Sequence, residues 1–151
     1  MYYVIDKPAL LERVKEEVSR VADEAYTDDG TALYDSVIVT QKDEDQIDRF
    51  IDDAVDALVR RAFDITKYAP QVDSETLAVT PRLKFYVPDF DETMEDAVRS
   101  ELEKYIVLSA CTSLFQSRRA GVLPEFQART QAAMDNAVIL LKSRKSPVDT
   151  W

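Results

Sequence analysis

Apolar side chains recur along this chain at two different periods, and each period predicts its own kind of element. Leu10, Leu11, Val14, Val18, Val21, Ala22 and Ala25 follow one another at three- and four-residue steps, with Glu12, Lys15, Glu16 and Arg20 between them. That spacing lays one apolar stripe along a helix over residues 8–26. Asp6 supplies a capping carboxylate, and Pro8 suits a first turn, where its missing N–H would go unbonded in any case. Asp28-Asp29-Gly30 ends this helix, and the apolar run from Leu33 to Val39 reads as an edge strand or an extended linker. Ile47, Phe50, Ile51, Ala54, Val55, Leu58, Ala62 and Phe63 mark the buried face of a second helix. Asp43 or Asp45 opens it, where the helix dipole favours acids, and Pro70 disfavours helical geometry just before itself, so the helix is expected to end near Tyr68.

Between Pro70 and Pro88 the period becomes 2. Leu77, Val79, Pro81, Leu83, Phe85 and Val87 alternate with Ala78, Thr80, Arg82, Lys84 and Tyr86, the pattern of a strand or an extended arm. Pro81 removes one ladder donor and so predicts an edge position. No segment of equal length offers itself as a partner, which leaves residues 33–39 or another subunit. Asp89 and Asp91 then open a third helix running to about Arg118, and Tyr105–Phe115 passes eleven residues without a charge. Such a stretch has to be covered on nearly every side. Gly121 interrupts the chain, Pro124 restarts it, and residues 124–143 make a fourth helix with Phe126, Ala133, Met134, Ala137, Ile139, Leu140 and Leu141 as its apolar positions. The expected fold is therefore mainly α. It is a single four-helix bundle-like domain over residues 1–151, with one or two β-strands forming an extended arm or small hairpin (residues 72–88), and a flexible tail at 142–151.

Composition sharpens this picture. Two glycines in 151 residues argue against all-β folds and phosphate-cradling loops, both of which use glycine's left-handed backbone. The net charge of −10 makes the chain a poor default binder of nucleic acid, whose recognition depends on neutralising phosphates, so any such contact is expected to be non-specific. The charge is uneven: residues 116–151 hold six basic and three acidic side chains, so −13 falls on residues 1–115. Solvated helix faces vary in this way, but a positive end meeting a negative face of another copy would also give a head-to-tail contact that closes into rings. One cysteine, Cys111, lies in an apolar run and reads as a small buried hydrophobe in a reducing compartment. Neither a signal-peptide pattern at Met1–Lys7 nor an apolar stretch of membrane-spanning length is visible, so no membrane partner is expected and the protein is placed inside a cell, or assembled there.

The chain has no histidine, which removes the Ser–His and Cys–His nucleophile pairs and most zinc sites. Acids spaced three and four apart (Asp45, Asp48, Asp52 and Asp56; Glu12 and Glu16; Glu92, Glu95 and Asp96) are the remaining candidates for chemistry. Carboxylates on facing helices hold magnesium in the all-α, MazG-like nucleotide pyrophosphohydrolases. Glu16-Glu17 resembles the start of that motif, but Val18-Ser19-Arg20 lacks its third acid and no Glu-x-x-Asp follows. A solvated acidic face is the simpler reading, with no cofactor, no metal and no catalytic residue.

The order of elements resembles that of the small helical head–tail connector (adaptor) proteins of tailed bacteriophages. The likeness spans residues 33–148. It rests on Val37-Ile-Val-Thr-Gln-Lys-Asp-Glu-Asp-Gln-Ile-Asp-Arg-Phe-Ile51, on Leu83-Lys-Phe-Tyr-Val-Pro-Asp-Phe-Asp91, on the Tyr105-Ile-Val helix, and on the closing helix ending Leu140-Leu-Lys-Ser-Arg-Lys-Ser-Pro147. It is a likeness of layout, and the helix at 8–26 lies outside it. The resemblance implies a virion structural protein assembled in the host cytoplasm, a homo-oligomeric ring of about a dozen copies contacting portal or tail components. An arm strand without an internal partner, the polarised charge and the unusually apolar third helix would all suit such assembly. The residues expected at the interface are Leu77, Val79, Leu83, Phe85 and Val87 of the arm, with Arg118, Arg119, Lys142, Arg144, Lys145 and Trp151. A cytosolic helical adaptor or regulatory subunit is the alternative, and the magnesium-dependent hydrolase a second one.

Overall fold

The computed structural model describes residues 1–29, 41–118 and 120–142, with the side chains of 22–29, 41, 42, 118 and 120 left outside that description. Four α-helices and five short strands are present among these residues: β1 (Tyr2–Val4), α1 (Lys7–Asp29), α2 (Gln41–Arg61), β2 (Thr66–Tyr68), β3 (Gln71–Val72), β4 (Val79–Thr80), β5 (Arg82–Phe85), α3 (Glu95–Arg118) and α4 (Leu123–Leu141). The mainly helical fold with a small β component is as the sequence predicts. The Leu33–Val39 segment, Gly30 and the tail beyond Lys142 lie outside the described residues.

Local chemistry accounts for the helix boundaries. Asp6 caps α1, its Oδ1 accepting from the Ala9 N–H at 3.2 Å, with Pro8 in the first turn. Asp91 caps a 3₁₀ turn (Glu92–Met94) that leads into α3, its side chain accepting from the Thr93 N–H and hydroxyl. Pro124 stands in the first turn of α4. The second helix differs from expectation at both ends, beginning at Gln41 and stopping at Arg61. Ala62 continues the buried face, but Phe63 is 79% exposed, and the chain turns at residues 62–65 to enter β2. Ile139, expected in the core, is exposed. On a helix it points away from the line Phe126, Ala133, Met134, Ala137 and Leu141, which is buried.

α3 is the centre of the molecule and packs against α4, α2 and α1. Of its uncharged run, Tyr105, Ile106, Val107, Leu108, Ala110, Cys111, Leu114 and Phe115 are buried. Phe115 meets Phe126 of α4 edge-on, with ring centroids 5.0 Å apart, and the Thr112 and Thr130 hydroxyls lie 3.4 Å apart across the same contact. Cover for the apolar helix thus comes from its own chain, and no second copy is needed to bury it. Ion pairs run along the helix rims: Lys7–Asp52 and Arg13–Glu103 at 2.7 Å, and Arg129–Glu17 at 3.5 Å.

The largest correction concerns the arm. β5 is the middle strand of a three-stranded antiparallel sheet ordered β1-β5-β2, with Tyr3 opposite Leu83 and Thr66 opposite Phe85. Its partners are three residues each, too short to show a period of their own. Pro81 is not on an edge strand. It occupies the kink between β4 and β5, where its missing N–H interrupts no ladder and its carbonyl accepts from the Ile5 N–H at 2.9 Å. Leu83 and Phe85 belong to the same buried cluster as the helices. Removing residues 72–88 would therefore take Leu83 and Phe85 out of the core, whereas a free arm would be dispensable.

Two substitutions test this assignment. Leu83→Ala should cost about 2–5 kcal/mol in chemical denaturation, the range for a fully buried leucine. Thr66 is buried and its hydroxyl has no hydrogen-bond partner among the described residues, so Thr66→Val should be neutral or stabilising by about 1 kcal/mol. A loss of more than about 1 kcal/mol in Thr66→Val would show that the hydroxyl has a partner.

Candidate interaction surface

The β2–β5 pair continues outward as a kinked ribbon. At the kink the Ala69 N–H donates to the Arg82 carbonyl at 3.0 Å, and Arg82 Nε donates back to the Ala69 carbonyl at 2.8 Å. Beyond it β3 pairs with β4, and every residue from Gln71 to Thr80 is exposed. The ribbon turns through Asp73–Ala78. The Asp73 N–H bonds the Ala78 carbonyl, the Leu77 N–H bonds the Asp73 carbonyl, and Asp73 Oδ1 accepts from the N–H groups of Glu75 and Thr76 at 2.8 and 3.0 Å. The last two bonds, that from Thr76 with the larger effect, lower the Asp73 carboxyl from its ordinary value.

Leu77 closes the turn with a left-handed backbone (φ 58°). Glycine or asparagine is the usual residue there, and a β-carbon costs roughly 1–2 kcal/mol. Leu77 is also 73% exposed, so the strained backbone holds a large apolar side chain in water. Val72 and Val79, directly opposite each other, are 55% and 58% exposed. Beneath the ribbon lies a groove of about 990 Å³, floored by Ile5, Val55 and Val59, walled by Tyr68, Val79 and Pro81, and rimmed by Lys7, Asp52, Asp56 and Arg60.

The expected interface residues therefore divide. Leu77 and Val79 stand out on the ribbon tip. Leu83 and Phe85 do not, because the stem of the ribbon is core. Val87 is half-buried, lining a small cleft with Met1, Phe85, Phe90 and Leu141. Lys142 is exposed just past α4. Arg118 ends α3 with its side chain outside the description, and Arg119, Arg144, Lys145 and Trp151 lie outside the described residues. Sequence reasoning passed over Val72 and Tyr68. It also passed over the outward set Tyr2, Lys67, Arg82 and Lys84, although Arg82 and Lys84 alternate with Leu83 and Phe85 and so had to face the other way.

Burial pushes the Cys111 thiol up to about 12, which keeps it protonated and unreactive at neutral pH. Burial likewise raises Tyr3 and Tyr105. The Lys15 amine is raised by its hydrogen bond to Glu44 on α2. Glu17 accepts from Arg20 and Arg129. Among the described residues no three Cys, Asp or Glu side chains converge as metal ligands, and no helix is long and apolar enough to cross a membrane.

The Asp73 turn makes a pH prediction. An acid whose folded value is depressed adds stability above its unfolded value and loses it as the pH falls through the folded one. Amide protection at Glu75 and Thr76 should thus persist at pH 5–7 and fade only below the ordinary carboxylate range, and Asp73→Ala should abolish it at every pH. Amide exchange by NMR reads both effects.

No protein-family model, curated protein or solved structure matches this chain.

Proposed function

We propose that this chain is a non-catalytic assembly subunit, serving as a head–tail connector (adaptor) of a tailed bacteriophage and acting as an oligomeric ring between portal and tail components. The observation that carries the assembly reading is the ribbon tip, ten exposed residues that present Val72, Leu77 and Val79 to water. Apolar residues held out on a hydrogen-bonded ribbon, one of them at a backbone cost, serve a contact with another molecule better than they serve the fold. The connector identity rests on the order of elements, a capped acidic helix, an extended segment, a long apolar helix and a closing helix. The fold alters the argument for assembly. Neither an unpaired arm strand nor an uncovered third helix contributes, and the exposed tip takes their place.

Leu77→Gly tests the reading without threatening the fold, because glycine adopts the left-handed backbone freely. Stability should stay within about 1 kcal/mol of the parent, while association with neighbouring subunits or portal protein, followed by sedimentation velocity, should weaken at least tenfold. Undiminished association would refute the role of the tip. Portal and capsid genes beside this one would support the connector assignment, and a neighbourhood of metabolic or signalling genes would favour the cytosolic adaptor.

A further inference from the structure

The sheet has a second face, turned away from the core. Register places Tyr2 and Lys67 on either side of Lys84, and Val4 opposite Arg82, so these five side chains share one surface. Tyr86, two residues beyond Lys84, joins them. Arg82 lies over the Tyr2 ring at 4.0 Å from its centroid, and Lys84 lies near both Tyr2 (5.4 Å) and Tyr86 (4.8 Å). Among the described residues no carboxylate forms an ion pair with Lys67, Arg82 or Lys84. In a chain of net charge −10 this is a cationic island, with Arg82 and Lys84 set over aromatic rings.

The complement stands on the same chain. Asp45, Asp48, Asp52 and Asp56 run along the solvent side of α2, opposite the buried line Ile47, Ile51, Ala54 and Leu58. Among the described residues only Asp52 of these four takes a cation, that of Lys7. Asp52 and Asp56 rim the groove beneath the ribbon, and Tyr68, on the core-facing side of the sheet, helps to wall it. At its Asp52–Asp56 end the acidic stripe thus lies across the sheet from the cationic island, so a subunit cannot satisfy its own pair there. Two copies can.

We propose that the outer sheet face of one copy, centred on Tyr2, Lys67, Arg82 and Lys84, docks on the acidic stripe of α2 in a second copy. The two patches differ, so the contact is head-to-tail and repeats from subunit to subunit, closing into a ring where the rotation allows. Copies of charge −10 repel one another at a distance, and a local match of opposite sign fixes which faces may meet. The inference rests on the assembly reading and names its contact.

Charge reversal on the purified chain tests it by sedimentation velocity and native mass spectrometry. Arg82→Glu with Lys84→Glu should weaken self-association at least tenfold, and so should Asp48→Lys with Asp56→Lys. An equimolar mixture of the two variants should regain it, because each then carries the complement of the other. Arg82 also bonds the Ala69 carbonyl, so Lys67→Glu with Lys84→Glu provides a second sheet variant that spares the kink. Monomeric parent protein at millimolar concentration overturns the proposal, and so does a mixture that fails to reassociate. Binding of a fluorescent oligothymidylate that is lost in the sheet variants, with self-association unchanged, would assign the surface to single-stranded nucleic acid instead. Reassociation of the mixture in a chain that ignores portal and tail proteins would keep this contact and refute the connector role alone.

Discussion

Eleven consecutive uncharged residues on one helix set the terms for everything around them. A run such as Tyr105–Phe115 has apolar groups on every side of its helix, so burying one face leaves the others in water at about 1.5–3 kcal/mol per large side chain. The chain answers with α4 on one side, α1 and α2 on others, and the inner face of the sheet joined to the same buried cluster. The salt bridges between helices follow from this arrangement and do not cause it. Lys7–Asp52 and Arg13–Glu103 lie at partly exposed rims, where a pair contributes at most about 1 kcal/mol. Their effect is on register, since they join helices whose apolar faces already meet.

The helices could be read from the sequence because each repeats its apolar period over four or more turns. Ile47, Ile51, Ala54, Val55 and Leu58 leave little choice of face, and the structure buries all five. The boundaries were legible where a side chain supplies the cap, as at Asp6 and Asp91, and illegible where tertiary pairing decides. α2 stops at Arg61 although Ala62 and Phe63 extend its apolar rhythm, because Thr66–Tyr68 is needed beside β5. Three-residue strands carry too few positions to reveal a period of two, and this hid β1 and β2 and left β5 looking unpaired. Left-handed leucine at position 77 is invisible for a different reason: the residue types that signal such a backbone are glycine and asparagine.

The candidate interface was half legible for a reason rooted in the same alternation. Apolar residues spaced by two along 77–87 look equivalent in sequence. In space the ribbon kinks at Pro81, so Leu83 and Phe85 point into the core while Leu77 and Val79 ride beyond it. The cations were misjudged by looking at totals. Summed charge draws attention to residues 116–151, yet the cations of the outer sheet face come from positions 67, 82 and 84; alternation puts 82 and 84 on one face, and strand register adds 67.

These features also decide how such a sheet can be used. A long bare edge would invite any extended chain to pair with it, but β1 and β2 are three residues each and Arg99 donates to the Tyr2 carbonyl on the outer edge of β1. Edge-to-edge strand addition, the contact an unpaired arm would have implied, therefore has little backbone to use. The outer face has no such limit. Leu83 and Phe85 anchor in the core the same strand that carries Arg82 and Lys84, so a residue that positions the surface is at the same time a residue that stabilises the core. Binding there would cost little ordering entropy, since the cations already rest on tyrosine rings. A subunit that joins others through this face, and not through its strand edges, keeps selectivity in side chains, where charge can match one partner and reject the rest.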